Sequence, residues 1–153
     1  MDDQPPPAAY LSSITSQASL RSNLDILFDN YPEFDKSGQL LQYNLQVATL
    51  PDFMIAGYRS GINNHLLIYI TATTTFNEDP IPTAQTIIQK KQYGIITVGY
   101  GEDLDHQTLH SISGGSPCTF LAKDATELHS KIKPIQRHIM HADANNGIYC
   151  HKV

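Results

Sequence analysis

Residues 65–100, HLLIYITATTTFNEDPIPTAQTIIQKKQYGIITVGY, constrain the fold of this chain more than any other stretch. Residues 66–72 form a short run that is apolar on both alternations (Leu66, Leu67, Ile68, Tyr69, Ile70), the pattern of a strand covered on both faces. A polar loop over 73–79 leads to Asp79-Pro80, a helix cap followed by a proline with φ already set for the first turn. Ile81, Ala84, Ile87 and Ile88 then make one apolar helix face, and Gly94 stops it. A second apolar run over 95–99 follows. The connection is too long for a hairpin and suits a helical crossover, so the two strands should run parallel.

The flanking sequence extends this unit. Leu20, Leu24, Leu27 and Phe28 predict a helix, with Ser16 or Ser19 as its cap and Pro32 ending it. A second helix follows Asp35 or Ser37. Leu41, Leu45, Ala48 and Ile55 lie on its face, Pro51 kinks or splits it, and Gly57 ends it. After the second strand, Leu104, Leu109 and Ile112 mark a short inward-facing helix with an acidic first turn. Residues 118–122 read as a short edge strand. Asp124 and Glu127 form a capping box, and Ala125, Leu128, Ile132, Ile135 and Ile139 give the last helix its inner face. Pro134 predicts a kink, or a helix end near Lys133. The order α, α, β, α, β, α, β, α places the chain in the α/β class. The expected architecture is a three-layer, Rossmann-like parallel sheet with helices on both faces.

Composition narrows the function. The 153 residues are 41% hydrophobic and 16% charged, with a formal charge of −5, so a packed core is expected and a basic nucleic-acid footprint is not. No apolar run is long enough for a membrane-spanning helix, and residues 1–10 lack the pattern of a signal peptide. Cys118 lies in an apolar run and is expected to be a buried free thiol. Cys150 lies in a polar tail, free to pair with a partner elsewhere.

Three patterns could carry chemistry. His106 and His110 stand four apart on a predicted helix, but no third metal ligand lies near them. Gly99-Tyr100-Gly101 follows a strand as a dinucleotide fingerprint would, yet it lacks a third glycine, and Glu102 and Asp103 come next. The loop over 73–79 sits at the carboxyl end of a strand, where open α/β sheets bind ligands. Its polar residues Thr73, Thr74, Thr75, Asn77 and Glu78 are the candidate ligand contacts. No catalytic, cofactor-binding or metal-binding residue set is expected, and no cofactor.

LLIYITA, the run of helix into YGIITVGYGE, and CTFLAKDATELHSKIKPI resemble the later part of a von Willebrand factor type A domain. The resemblance covers residues 36–139 and looks most like the A domains of secreted nematode proteins, which often carry a C-type lectin domain as well. It implies that residues 66–72 are the family's central fourth strand and that the expected fold is partial, without the family's first strands. The family's metal site begins with D-x-S-x-S after the first strand and takes an aspartate after the fourth. Here the sole D-x-S is Asp35-Lys36-Ser37, Ala72 stands at the aspartate position, and Ser37 could stand for a threonine ligand. One hydroxyl and no carboxylate does not hold Mg²⁺.

The reading is therefore a non-enzymatic, adhesion-type domain with a degenerate metal site, binding protein or glycan. The alternatives are a small Rossmann-like enzyme or nucleotide binder, or a truncated product with no independent function. The expected division is a loose lead over 1–11, the domain over 12–140 and a flexible tail over 141–153. Without the family's first strand, residues 66–72 should expose an apolar edge able to pair with another chain, which residues 6–11 could cover in part. Extracellular placement is implied by the resemblance.

Overall fold

The computed structural model describes residues 14–30, 40–50, 65–141 and 150. Among these residues, helices α1 (Gln17–Asn30) and α2 (Leu41–Ala48) precede strand β1 (Leu66–Thr71). Helix α3 (Ile81–Gln89), strand β2 (Gly94–Tyr100), helix α4 (His106–Ser113), strand β3 (Thr119–Ala122) and helix α5 (Ala125–His141) follow in alternation. The strands lie in the order β1-β2-β3, both pairs parallel, with Leu66 opposite Gly94 and Thr97 opposite Thr119. The α/β class, the element order and the parallel pairing are those expected from the sequence.

Alternation along β2 sorts the core. Ile95 packs with Leu67 and Tyr69 of β1, Leu41 and Leu45 of α2, Ala84 and Ile87 of α3, and Ile112 of α4. Thr97, on the same side, donates its hydroxyl to the Leu109 carbonyl of α4 at 3.3 Å and lies within hydrogen-bond distance, 3.1 Å, of the Thr119 hydroxyl. On the opposite face Ile96 and Val98 are buried, and Phe120 meets the His138 ring of α5 edge-on at 6.0 Å. Helices thus lie on both faces of the sheet.

β1 departs from expectation. Its double apolar pattern predicts cover on both sides, but Ile68 is 47% and Ile70 66% exposed. On that face α5 packs on β3, at the far side of the sheet from β1. β1 is the outer strand among the described residues, and residues 6–11, expected to cover its edge, lie outside them.

Three helix readings also change. In α1, Leu20 and Leu24 of the face expected to meet a core are exposed, as is Ile26 beside them. α2 ends at Ala48, with the Thr49 and Leu50 amides bonded back to Gln46 and Val47. Residues 51–55 of the predicted helix, and its expected caps Asp35 and Ser37, lie outside the described residues. α5 runs unbroken through Pro134. Both Pro134 and Ser130 are exposed, so the Ser130 carbonyl that loses its intrahelical donor is left to water, and the cost of proline is moderated. The inner face of α5 also shifts. Ile132 and Ile139 are exposed, whereas His138 is 2% exposed.

Cys118 is not a free thiol. It is bonded to Cys150, 32 residues away, and no cysteine is free. The tail residue that read as available to an outside partner is covalently tied to the 3-10 turn Ser116–Cys118.

Candidate functional site

Each strand ends in a loop that closes on an aspartate. Asp79 Oδ1 accepts the Ile81 amide at 3.0 Å, at the start of α3. Asp105 Oδ1 accepts the Gln107 and Thr108 amides at 3.0 and 3.3 Å, and its Oδ2 accepts the Thr108 hydroxyl at 2.6 Å. Asp124 Oδ1 accepts the Glu127 amide at 2.8 Å, while Glu127 accepts from the Lys123 amide at 3.0 Å. The last pair is the capping box read from the sequence, shifted by one donor. The three helix N-termini at this end of the sheet therefore already hold carboxylates of their own, the groups their dipoles favour.

The candidate contact loop is built on the first of these connections. The Thr71 hydroxyl donates to the Thr73 carbonyl at 2.6 Å and accepts the Thr73 amide at 3.1 Å. The Thr73 hydroxyl accepts the Thr75 amide at 3.1 Å. These local turns hold the backbone as it leaves β1. Phe76 points back and packs against the Tyr69 ring, centroids 6.4 Å apart. Burial there pushes the Tyr69 phenol above its usual range, partly offset by its hydrogen bond with Thr71. Thr75, Asn77 and Glu78 are left exposed at the tip, whereas Thr73 and Thr74 are half-buried.

Thr74 has a role the sequence does not disclose. Its hydroxyl accepts the Asp105 amide at 3.1 Å, 31 residues on, and so joins the loop after β1 to the loop after β2. The five candidate residues therefore divide. Thr73 and Thr74 shape the loops, and Thr75, Asn77 and Glu78 face outward. Tyr100, Glu102 and Asp103 are exposed at the same end of the sheet. In the sequence Tyr100 stands only within the glycine pattern Gly99-Tyr100-Gly101; an aromatic at the end of a parallel strand is the signal that could have marked it as a contact residue.

The other candidate patterns have structural explanations. A Cβ on Gly99 would lie 2.7, 2.9 and 2.9 Å from methyls of Leu104, Leu109 and Leu121, so the glycine admits these side chains to the core. Gly101 turns with φ +120°. The α4 amides that a phosphate would use are taken by Asp105. His106 is exposed, and His110 lies in an open groove of about 460 Å³ between α3 and α4, beside Gln85, Gln107 and Ser111. Among the described residues no three His, Cys, Asp or Glu side chains are grouped to hold a metal ion.

At the strand end where the resemblance expects a carboxylate, Ala72 offers a methyl. The neighbouring Thr71 and Thr73 hydroxyls are engaged with backbone. A hard divalent cation needs several oxygen ligands, carboxylates among them, and this donor set does not fit one. Asp35 and Ser37 lie outside the described residues.

The hydrogen bonds that Asp105 accepts, the Thr108 hydroxyl foremost, hold its carboxyl below the usual carboxylate range. With the native value depressed, the stabilisation is present above the unfolded-state value and is lost as pH falls through the native one. Asp105→Ala is therefore expected to lower the melting temperature at neutral pH, with the gap to the parent closing on acidification. Thermal melts from pH 7 to pH 2 check this, and a gap that stays constant would contradict it.

The family model for the von Willebrand factor type A domain matches residues 1–134. The match begins at residue 1 rather than near residue 36, so it takes in the amino-terminal stretch that the resemblance read from sequence left out. A curated nematode relative, Protein irg-7 of Caenorhabditis elegans, is 56% identical over 147 residues. The alignment takes in 95% of this chain and 7% of the relative, so the chain spans a small part of that protein's length.

Proposed function

The chain belongs to the von Willebrand factor type A family, and on that premise we propose that it is a non-enzymatic recognition domain that binds a protein without a metal ion. The observation that carries the reading is the carboxyl end of the sheet. There Ala72 replaces a ligand, the threonine hydroxyls are spent on turns, and the Thr74–Asp105 bond fuses two loops into one surface. Thr75, Asn77 and Glu78 with Tyr100, Glu102 and Asp103 give that surface hydroxyls, an amide, carboxylates and one aromatic ring. This mixture suits a protein surface carrying basic groups better than a sugar, which would be expected to stack on more than one ring. A glycan ligand is the second reading.

Extracellular placement is supported by the Cys118–Cys150 bond, because such bonds persist in oxidising compartments. Among the described residues no helix is long and apolar enough to cross a membrane. A second contact with another polypeptide would use the apolar face of β1, where Ile68 and Ile70 stand open, beside the edge pairing expected from sequence.

Titration with Mg²⁺ and with Mn²⁺ tests the metal-independent reading. The melting temperature is expected to stay within about 1 °C up to millimolar metal, because a ligand that binds only the folded state must raise it. A saturable rise would overturn the proposal.

A further inference from the structure

We infer that the Cys118–Cys150 bond is a directional thiol-exchange site: an incoming thiolate attacks Cys150, and Cys118 leaves onto the His138 imidazole. The two sulfurs are not equivalent. Cys118 is 0% exposed, in the 3-10 turn that packs against α4, with His138 of α5 at its sulfur. Cys150 is half-buried, its sulfur 3.0 Å from the Ser113 carbonyl. Exchange requires approach of a thiolate to one sulfur and departure of the other, so access directs the attack to Cys150.

The leaving sulfur meets a prepared partner. His138 Nε2 lies 3.3 Å from Cys118 Sγ in the buried interior, and the edge-on Phe120 ring packs against the imidazole. A ring N–H at that distance donates to the sulfur as negative charge develops on it, which stabilises the departing thiolate. This also accounts for a histidine at the most buried position of a helix whose isoleucines at 132 and 139 are exposed.

The step is balanced. The thiolate R–S⁻ forms a bond to Cys150 Sγ as the Cys150–Cys118 bond breaks, giving R–S–S–Cys150 and a Cys118 thiolate. The co-reactant is a free thiol, and the oxidation level is conserved across the exchange. Cys150 is thereby the position that becomes covalently modified, and the buried pair Cys118–His138 is what makes the modification possible in the folded protein.

The test uses glutathione on the folded, oxidised protein. Samples are quenched in acid, alkylated under denaturing conditions and mapped by peptide mass spectrometry. Glutathione is expected on Cys150 and the alkyl label on Cys118, in at least about a tenfold excess over the reverse pattern. Glutathione mainly on Cys118, an even split, or no adduct short of unfolding would each overturn the proposal. His138→Leu is expected to slow adduct formation about tenfold, the size of one lost hydrogen bond to a charged group, with His138→Gln, which keeps a donor, in between. Equal rates in parent and leucine variant would remove His138 from the step. Should the leucine variant not fold, the position of the adduct in the parent decides the matter by itself.

Discussion

Cys150→Ser is expected to lower the free energy of unfolding by about 3–4 kcal/mol. The bond closes a loop of 32 residues, and releasing a loop of that length to the unfolded chain restores about 3.7 kcal/mol of conformational freedom on the chain-entropy account. The variant also leaves a thiol at Cys118, but that residue stays in its apolar site beside His138 and adds little strain. Urea denaturation of the parent, oxidised and reduced, beside the variant is the direct measurement. The reduced parent and the variant should share one midpoint, well below that of the oxidised protein. Coincidence of all three curves would mean that the bond closes a loop the unfolded chain does not open.

Gly99→Ala is the second large effect, a loss of about 1–3 kcal/mol from overpacking. The added methyl would sit under 3.0 Å from three leucine side chains at once, and Leu109 is fully buried. One leucine could rotate aside; three sharing one site cannot do so without opening space elsewhere. The m-value should stay that of the parent while the midpoint falls. An unchanged midpoint would show that the pocket around Gly99 yields freely. The same experiment bears on the nucleotide reading, since it weighs Gly99 as a packing residue in a protein with no nucleotide present.

Periodicity was enough to recover the elements of this fold. The apolar runs at 66–72 and 95–99, the crossover helix between them, and the aspartates before α3 and α5 are local patterns; α4, expected to include Leu104 and to have an acidic first turn, starts instead at His106 behind the single cap Asp105, with no acidic residue in its first turn. Local patterns act through backbone chemistry that needs no distant partner. Ile81, Ala84, Ile87, Leu109 and Ile112 point inward for the same reason. The candidate loop was legible because a polar stretch after a parallel strand can lie only at the carboxyl end of the sheet.

What failed were judgements about cover and partnership, which depend on residues far apart in the chain. Ile68 and Ile70 carry the same apolar signal as Ile96 and Val98. Only tertiary packing decides that one pair is buried and the other is not. Thr74 is a polar loop residue until the β2–α4 loop comes within 3.1 Å of it. Only the fold brings Cys118 and Phe120 to His138. Cys118 and Cys150 give no hint of each other in sequence, because two cysteines 32 residues apart pair only if the fold brings them together. Strands, helices and their parallel order follow from local pattern, since period and caps are properties of neighbouring residues. Tertiary structure alone decided which apolar face stays open, which hydroxyl joins two loops and which sulfurs meet, because each of these is a distance between residues that the chain order leaves free.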